Sequence, residues 1–299
     1  MEANKTIVLL SVAVVLFVWL NAGMGLFYSD GGSPRYVESI HGERVQLFGD
    51  GVYANNSTFA AGIKKGTDLV TLFVSAGLLI AALKRDKGPK TKLLHAGLLT
   101  SILYYSATLA LETVFNRLFL SYAALLSLAS FALVFTVVDL YNTVRPADTE
   151  GRHTKTAVFT MITGVTALVW LMDIIPTVFT GIPPDFLSIY TTSPTKLIDM
   201  GLIFPVCVMG GVMLLQKKTM GYILPPIMLT FLSVIAVTVM GQTALQRSYG
   251  VVLPAHQLAG YVGLFVVFGS IAVVVNFRFM QRCWPKTGKK QERTPPEKS

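Results

Sequence analysis

The sequence predicts an all-α integral membrane protein: a bundle of eight transmembrane helices with a short outer loop patterned like a β-hairpin. Three observations predict it. Of 299 residues, 53% are hydrophobic and 14% are charged, where a soluble chain has about a quarter charged, and the mean hydropathy is +0.59. Eight windows, 6–28, 66–84, 93–116, 118–144, 156–180, 195–216, 221–244 and 254–277, are long and apolar enough to cross about 30 Å of hydrocarbon. Lysine and arginine gather on alternate connections: of 25 in the chain, eighteen lie on the side of the two termini and seven on the other. Cytoplasmic loops accumulate these residues, so both termini are expected in the cytoplasm.

The net charge of +9 follows from that topology. No basic stripe interleaved with aromatics points to nucleic acid. No GxGxxG, P-loop, HExxH or GxSxG element occurs, and no mid-membrane lysine in the last helix suits a retinal. Cys207 and Cys283 fall at different depths, with no CxxC or zinc spacing. His41, His95, His153 and His256 are scattered, and His95 and His256 lie near opposite bilayer faces, which disfavours a haem between them. No cofactor or metal is expected.

Residues 1–28 form the first helix. Its run is longer than a usual signal-peptide core, although Asn21-Ala22-Gly23-Met24-Gly25 is small enough to keep cleavage open. Residues 29–63 form an extracytoplasmic loop. Within it Arg44-Val45-Gln46-Leu47-Phe48 and Gly51-Val52-Tyr53 flank the turn pair Gly49-Asp50, the pattern of a hairpin that acts either as a lid or as a solvated connector. Asn55 and Asn56 begin overlapping glycosylation sequons. Residues 64–284 make a seven-helix core, and 285–299 a disordered basic cytoplasmic tail.

Polar residues inside the core follow helical spacing. Asp68, Thr71 and Ser75 share a face of the second helix; Ser101, Tyr105, Thr108 and Glu112 form a ladder on the third; Thr163, Thr166, Trp170, Asp173 and Thr177 form one on the fifth. Hydroxyls in such helices often bond their own carbonyls, so each ladder alone has a purely structural explanation. Their shared polarity adds information. Asp68, Glu112, Asp173 and Asp199 all fall in the outer third, with Arg117, Lys196 and Arg247 as basic partners, while Asp139 stands alone at the inner end. A carboxylate facing lipid costs at least a few kcal/mol, so these acids should face an interior cavity or basic groups.

Ser193-Pro194 marks the start of the sixth helix, with the serine hydroxyl as its cap. Lys196 and Asp199, three apart on it, form either a local ion pair or part of a site. Pro176, Pro205 and Pro225-Pro226 free carbonyls inside helices, and Gly210-Gly211 permits close helix approach.

The blocks from Gly51-Val52-Tyr53 through Gly66-Thr67-Asp68-Leu69-Val70-Thr71-Leu72, and from Thr191-Thr192 through Lys196-Leu197-Ile198-Asp199-Met200-Gly201-Leu202-Ile203-Phe204-Pro205, resemble those of an uncharacterised family of prokaryotic multi-spanning membrane proteins. The resemblance implies a bacterial or archaeal cytoplasmic membrane and carries no activity. Three functional classes follow from the residues. One is a sensor or transporter binding a small polar or cationic solute in an outward-facing acidic pocket of Asp68, Thr71, Tyr105, Thr108, Glu112, Arg117, Trp170, Asp173, Lys196 and Asp199, between helices 2, 3, 5 and 6. Another is a scaffold subunit whose buried charges lock helix pairing. The third is an enzyme with Glu112, beside Tyr105, as acid and base. Internal repeats, common in transporters, are weak here.

Overall fold

The computed structural model describes residues 2–84, 88–144, 153–255 and 258–285. The basic tail beyond 285, His256 and part of the basic connections lie outside the described residues. Among the described residues eight helices are long and apolar enough to cross a membrane: α1 (Glu2–Phe27), α2 (Thr58–Leu83), α3 (Pro89–Glu112), α4 (Phe119–Thr143), α5 (Thr154–Thr180), α6 (Pro194–Leu215), α7 (Thr219–Ser248) and α8 (Leu258–Cys283). Together they form an all-α bundle. All eight expected windows become helices. The largest difference is α2, which begins two turns early at the Ser57 cap, where the Ser57 hydroxyl accepts from Ala60 N–H.

Helix α7 is the central post. It packs against α2, α3, α6 and α8, and its buried residues run from Gly221 to Gln246 despite Pro225 and Pro226. Asn276 on α8 donates to the Pro226 carbonyl (3.1 Å) and to Thr230 (2.9 Å), so the neighbouring helix supplies a partner near the double proline. Helix α1 packs on α2 and α4, α3 on both, and α5 on α6. Gly210 and Gly211 lie where α6 meets its neighbours: a Cβ on Gly211 would fall 2.7 Å from the Ala157 carbonyl of α5.

One end of the bundle gathers the first turn of α1 and the last of α8. There Lys92 pairs with Asp139 at 2.7 Å, Ser11 bonds His95 at 2.9 Å, and Lys90 donates to Gln281. Cys207 and Cys283 are both free. The other end carries the long connections. The hairpin forms there, but not in the expected register: β1 (Arg35–Glu38) pairs antiparallel with β2 (Arg44–Leu47), Glu38 opposite Arg44. Gly51–Tyr53 is instead a turn of 3-10 helix. The Asp50 carboxylate captures the Ser29 hydroxyl and the N–H groups of Asp30 and Gly31, pinning the turn to the chain leaving α1. Tyr53 then enters the core. Asn56, second of the two sequon asparagines, is fully buried, its side-chain Oδ1 accepting from Val114 N–H and the Tyr190 hydroxyl, so it presents nothing to a glycan.

Candidate functional site

Three helices abandon regular α geometry toward the loop end. In α5 a 3-10 turn, Ala167–Trp170, separates Thr154–Thr166 from Leu171–Thr180. In α6 a π turn, Asp199–Ile203, precedes Pro205, which has no N–H to offer the Gly201 carbonyl. In α8 Leu258–Gly263 is also π-helical. The turns of α5 and α6 touch each other, and beyond them the last ten residues of α5, Leu171–Thr180, include no buried residue. The outer part of α5 therefore stands away from α2, α3 and α7, while the first turn of α6 keeps contact with α3 and the π turn of α8 with α7. Between them lies a cavity of about 1200 Å³.

Both full ladders line this space: Ser101, Tyr105, Thr108 and Glu112 from α3, and Thr163, Thr166, Trp170, Asp173 and Thr177 from α5. Thr71 of α2 and Lys196 and Asp199 of α6 join them. The hydroxyls of Ser101, Thr108, Thr163, Thr166 and Thr177 each donate to a carbonyl three or four residues back on their own helix. The local explanation of the ladders is therefore correct as well. The hydroxyl protons are committed to the backbone, and oxygen lone pairs remain as the polar lining of the cavity.

The sequence predicts ten pocket residues, and two lie elsewhere. Asp68 is fully buried behind the cavity wall, accepting from the hydroxyls of Tyr53 (2.8 Å) and Tyr105 (2.7 Å). Arg117 is exposed and donates to the Tyr28 hydroxyl at 3.0 Å. Spacing placed both at the right depth, but their direction depends on neighbours that spacing does not reveal. Lys196 and Asp199 both line the cavity without forming an ion pair with each other. Asp199 accepts from the Tyr104 hydroxyl (2.9 Å) and the Trp170 indole (2.8 Å). The Lys196 ammonium lies over the rings of Phe186 and Trp170, 3.7 and 4.2 Å from their centroids. Nor does Ser193 cap α6 through its side chain.

The chain matches no family model, no curated protein and no solved structure.

The cavity extends beyond the four helices expected to form it. Thr238, Gln242 and Gln246 of α7, four apart, supply a hydroxyl and two amides, while Phe231, Leu232, Val262 and Phe265 from α7 and α8 form an apolar wall. The four-residue spacing of Thr238, Gln242 and Gln246 is present in the sequence, but these uncharged side chains carry no charge-burial penalty to mark them as facing a cavity. Arg44, Val45 and Gln46 of β2 form part of the cavity lining, and the connection before α6 is tied to the α1–α2 connection through His41 to the Tyr190 carbonyl. Lys64, expected in or near the outer loop, is buried on α2 and lines the cavity. With Lys64, Lys196 and Arg44 beside Glu112, Asp173 and Asp199, the lining is balanced in charge, which corrects the expected acidic pocket. Among the described residues no group of three His, Cys, Asp or Glu side chains is placed to hold a metal ion.

Proposed function

We propose that the protein crosses a cytoplasmic membrane with both termini in the cytoplasm and binds a small polar solute with a cationic group in this cavity, as a sensor or transporter. The observation that carries the reading is the convergence of two hydroxyl ladders, Trp170, Glu112 and Asp173 on one space of ligand size. The enzyme reading loses its pairing, because the Tyr105 hydroxyl is engaged by Asp68 and Glu112 accepts from Thr195 at 2.7 Å. The scaffold reading draws on Asp68, which serves packing alone.

The test is thermal unfolding of the full chain in detergent with alkylamines and quaternary ammonium salts. A ligand at a hundred times its dissociation constant stabilises by about 2.7 kcal/mol, and Glu112→Gln or Asp173→Asn should remove that stabilisation while leaving a folded protein. Variants that bind as the parent does would move the site elsewhere. Variants that fail to assemble, with no solute stabilising the parent, favour the scaffold.

A further inference from the structure

Lys64 is the uncommitted charge of the cavity. It lies in the second turn of α2 with 7% of its surface exposed, and it lines the space. Among the described residues nothing joins its ammonium by hydrogen bond or ion pair. The other charged groups there are engaged: Glu112 by Thr195, Asp199 by Tyr104 and Trp170, Lys196 by two rings, Arg44 by the ring of Tyr36, and Asp173 as well. The carboxylates whose field reaches Lys64 are Glu112 and Asp68. Asp68 already has a tyrosine hydroxyl on each oxygen. Glu112 faces the same cavity and, among the described residues, accepts only the Thr195 hydroxyl, on Oε2.

A buried ammonium is costly without a counter-charge. Lys64 and Glu112 line one space and stop short of contact, so a ligand that fits between them must offer opposite charges to the two. Neither a simple cation nor a simple anion does so. We infer that the ligand is zwitterionic, with its oxyanion on Lys64 and its ammonium toward Glu112. This rests on the cavity being the ligand site. A soluble amino acid and a zwitterionic lipid headgroup share that chemistry.

The test is acetylation of Lys64 in the full chain by a water-soluble acetylating ester, read by peptide mass spectrometry. The probes are glycine, β-alanine, γ-aminobutyrate and 5-aminovalerate, each beside the alkylamine and alkanoate of matching length. A zwitterion at ten times its dissociation constant should slow acetylation about tenfold, the matched amine and acid far less, and Glu112→Gln should remove the protection. Protection without added solute in phosphatidylethanolamine nanodiscs, but not in phosphatidylglycerol ones, would support the inference with a lipid as the source. In a second readout, Lys64→Gln should erase any preference for zwitterion over amine in thermal shift. Equal protection by amine and zwitterion overturns the zwitterion while leaving a cation-binding cavity. Protection by no probe in either bilayer, with no thermal shift, overturns both readings.

Discussion

Asp68 and Asp199 are both buried carboxylates with two hydrogen-bond donors each, yet one braces the core and the other lines the cavity. The difference lies in what stands behind the donors. Tyr53 and Tyr105 close over Asp68 from the loop turn and from α3, whereas Tyr104 and Trp170 hold Asp199 at the cavity edge. Asp68→Ala leaves two tyrosine hydroxyls unsatisfied and should lower stability by about 2 to 4 kcal/mol. Chemical denaturation in detergent measures the loss, and any ligand-induced stabilisation per site should persist. For Lys196 and Asp199 the expected outcome also follows from partners. Because Asp199 relies on a hydroxyl and an indole N–H, and Lys196 on ring faces, exchanging them as Lys196→Asp with Asp199→Lys should damage folding as much as either single neutralisation. A well-tolerated exchange, scored by unfolding temperature, would restore the ion pair.

The pairing of α2 with α7 depends on two glycines one turn apart. A Cβ on Gly62 would lie 2.8 Å from Gln246 Cγ, and one on Gly66 would press on the Gln242 backbone and lie 2.6 Å from the Gly241 carbonyl. Small residues four apart allow two helix backbones to approach closely where lipid supplies no hydrophobic drive. The approach also places Gln242, which donates to Thr67 at 2.8 Å, in the cavity lining. Gly66→Leu should therefore cost about 1 to 3 kcal/mol through overpacking and should weaken ligand-induced stabilisation as well. Substitution at Gly23, where a Cβ meets nothing within 4 Å, is the control that should change neither. The irregular turns of α5 and α6 work at the same scale. By displacing Trp170 and Asp199 from ideal register, they let the two side chains meet across the helices.

At the scale of the whole molecule, the two ends differ in chemistry. The end that holds the first turn of α1 and the last of α8 carries the Lys92–Asp139 pair, while the end with the hairpin carries the cavity. If the first end is cytoplasmic, a cysteine at Gly88 should react with an impermeant maleimide only after permeabilisation, and one at Glu43, exposed in the hairpin turn, should react in intact cells. The reverse pattern would invert the molecule and turn the cavity toward the cytoplasm.

The sequence by itself determined the eight helices, because about twenty consecutive apolar residues have few alternatives to a helix. It also determined the alternation of basic residues and the faces of the α3 and α5 ladders, since 3.6-residue periodicity is a local property. Which faces meet was decided only by tertiary packing. Spacing grouped Asp68 with Thr71, but Tyr53 and Tyr105 closed over the first and left the second on the cavity wall. It left Lys196 and Asp199 either as a local ion pair or as part of a site, and the rings of Phe186 and Trp170 against Lys196, with Tyr104 and Trp170 on Asp199, decide against the pair. It started the second apolar window at 66, just past Lys64 and Lys65, whereas α2 begins at the Ser57 cap and carries both lysines inside the helix. The Ser57 cap is a local signal, but the partners of Asp68, Lys196 and Asp199 come from other elements of the fold, and spacing within one helix does not encode them.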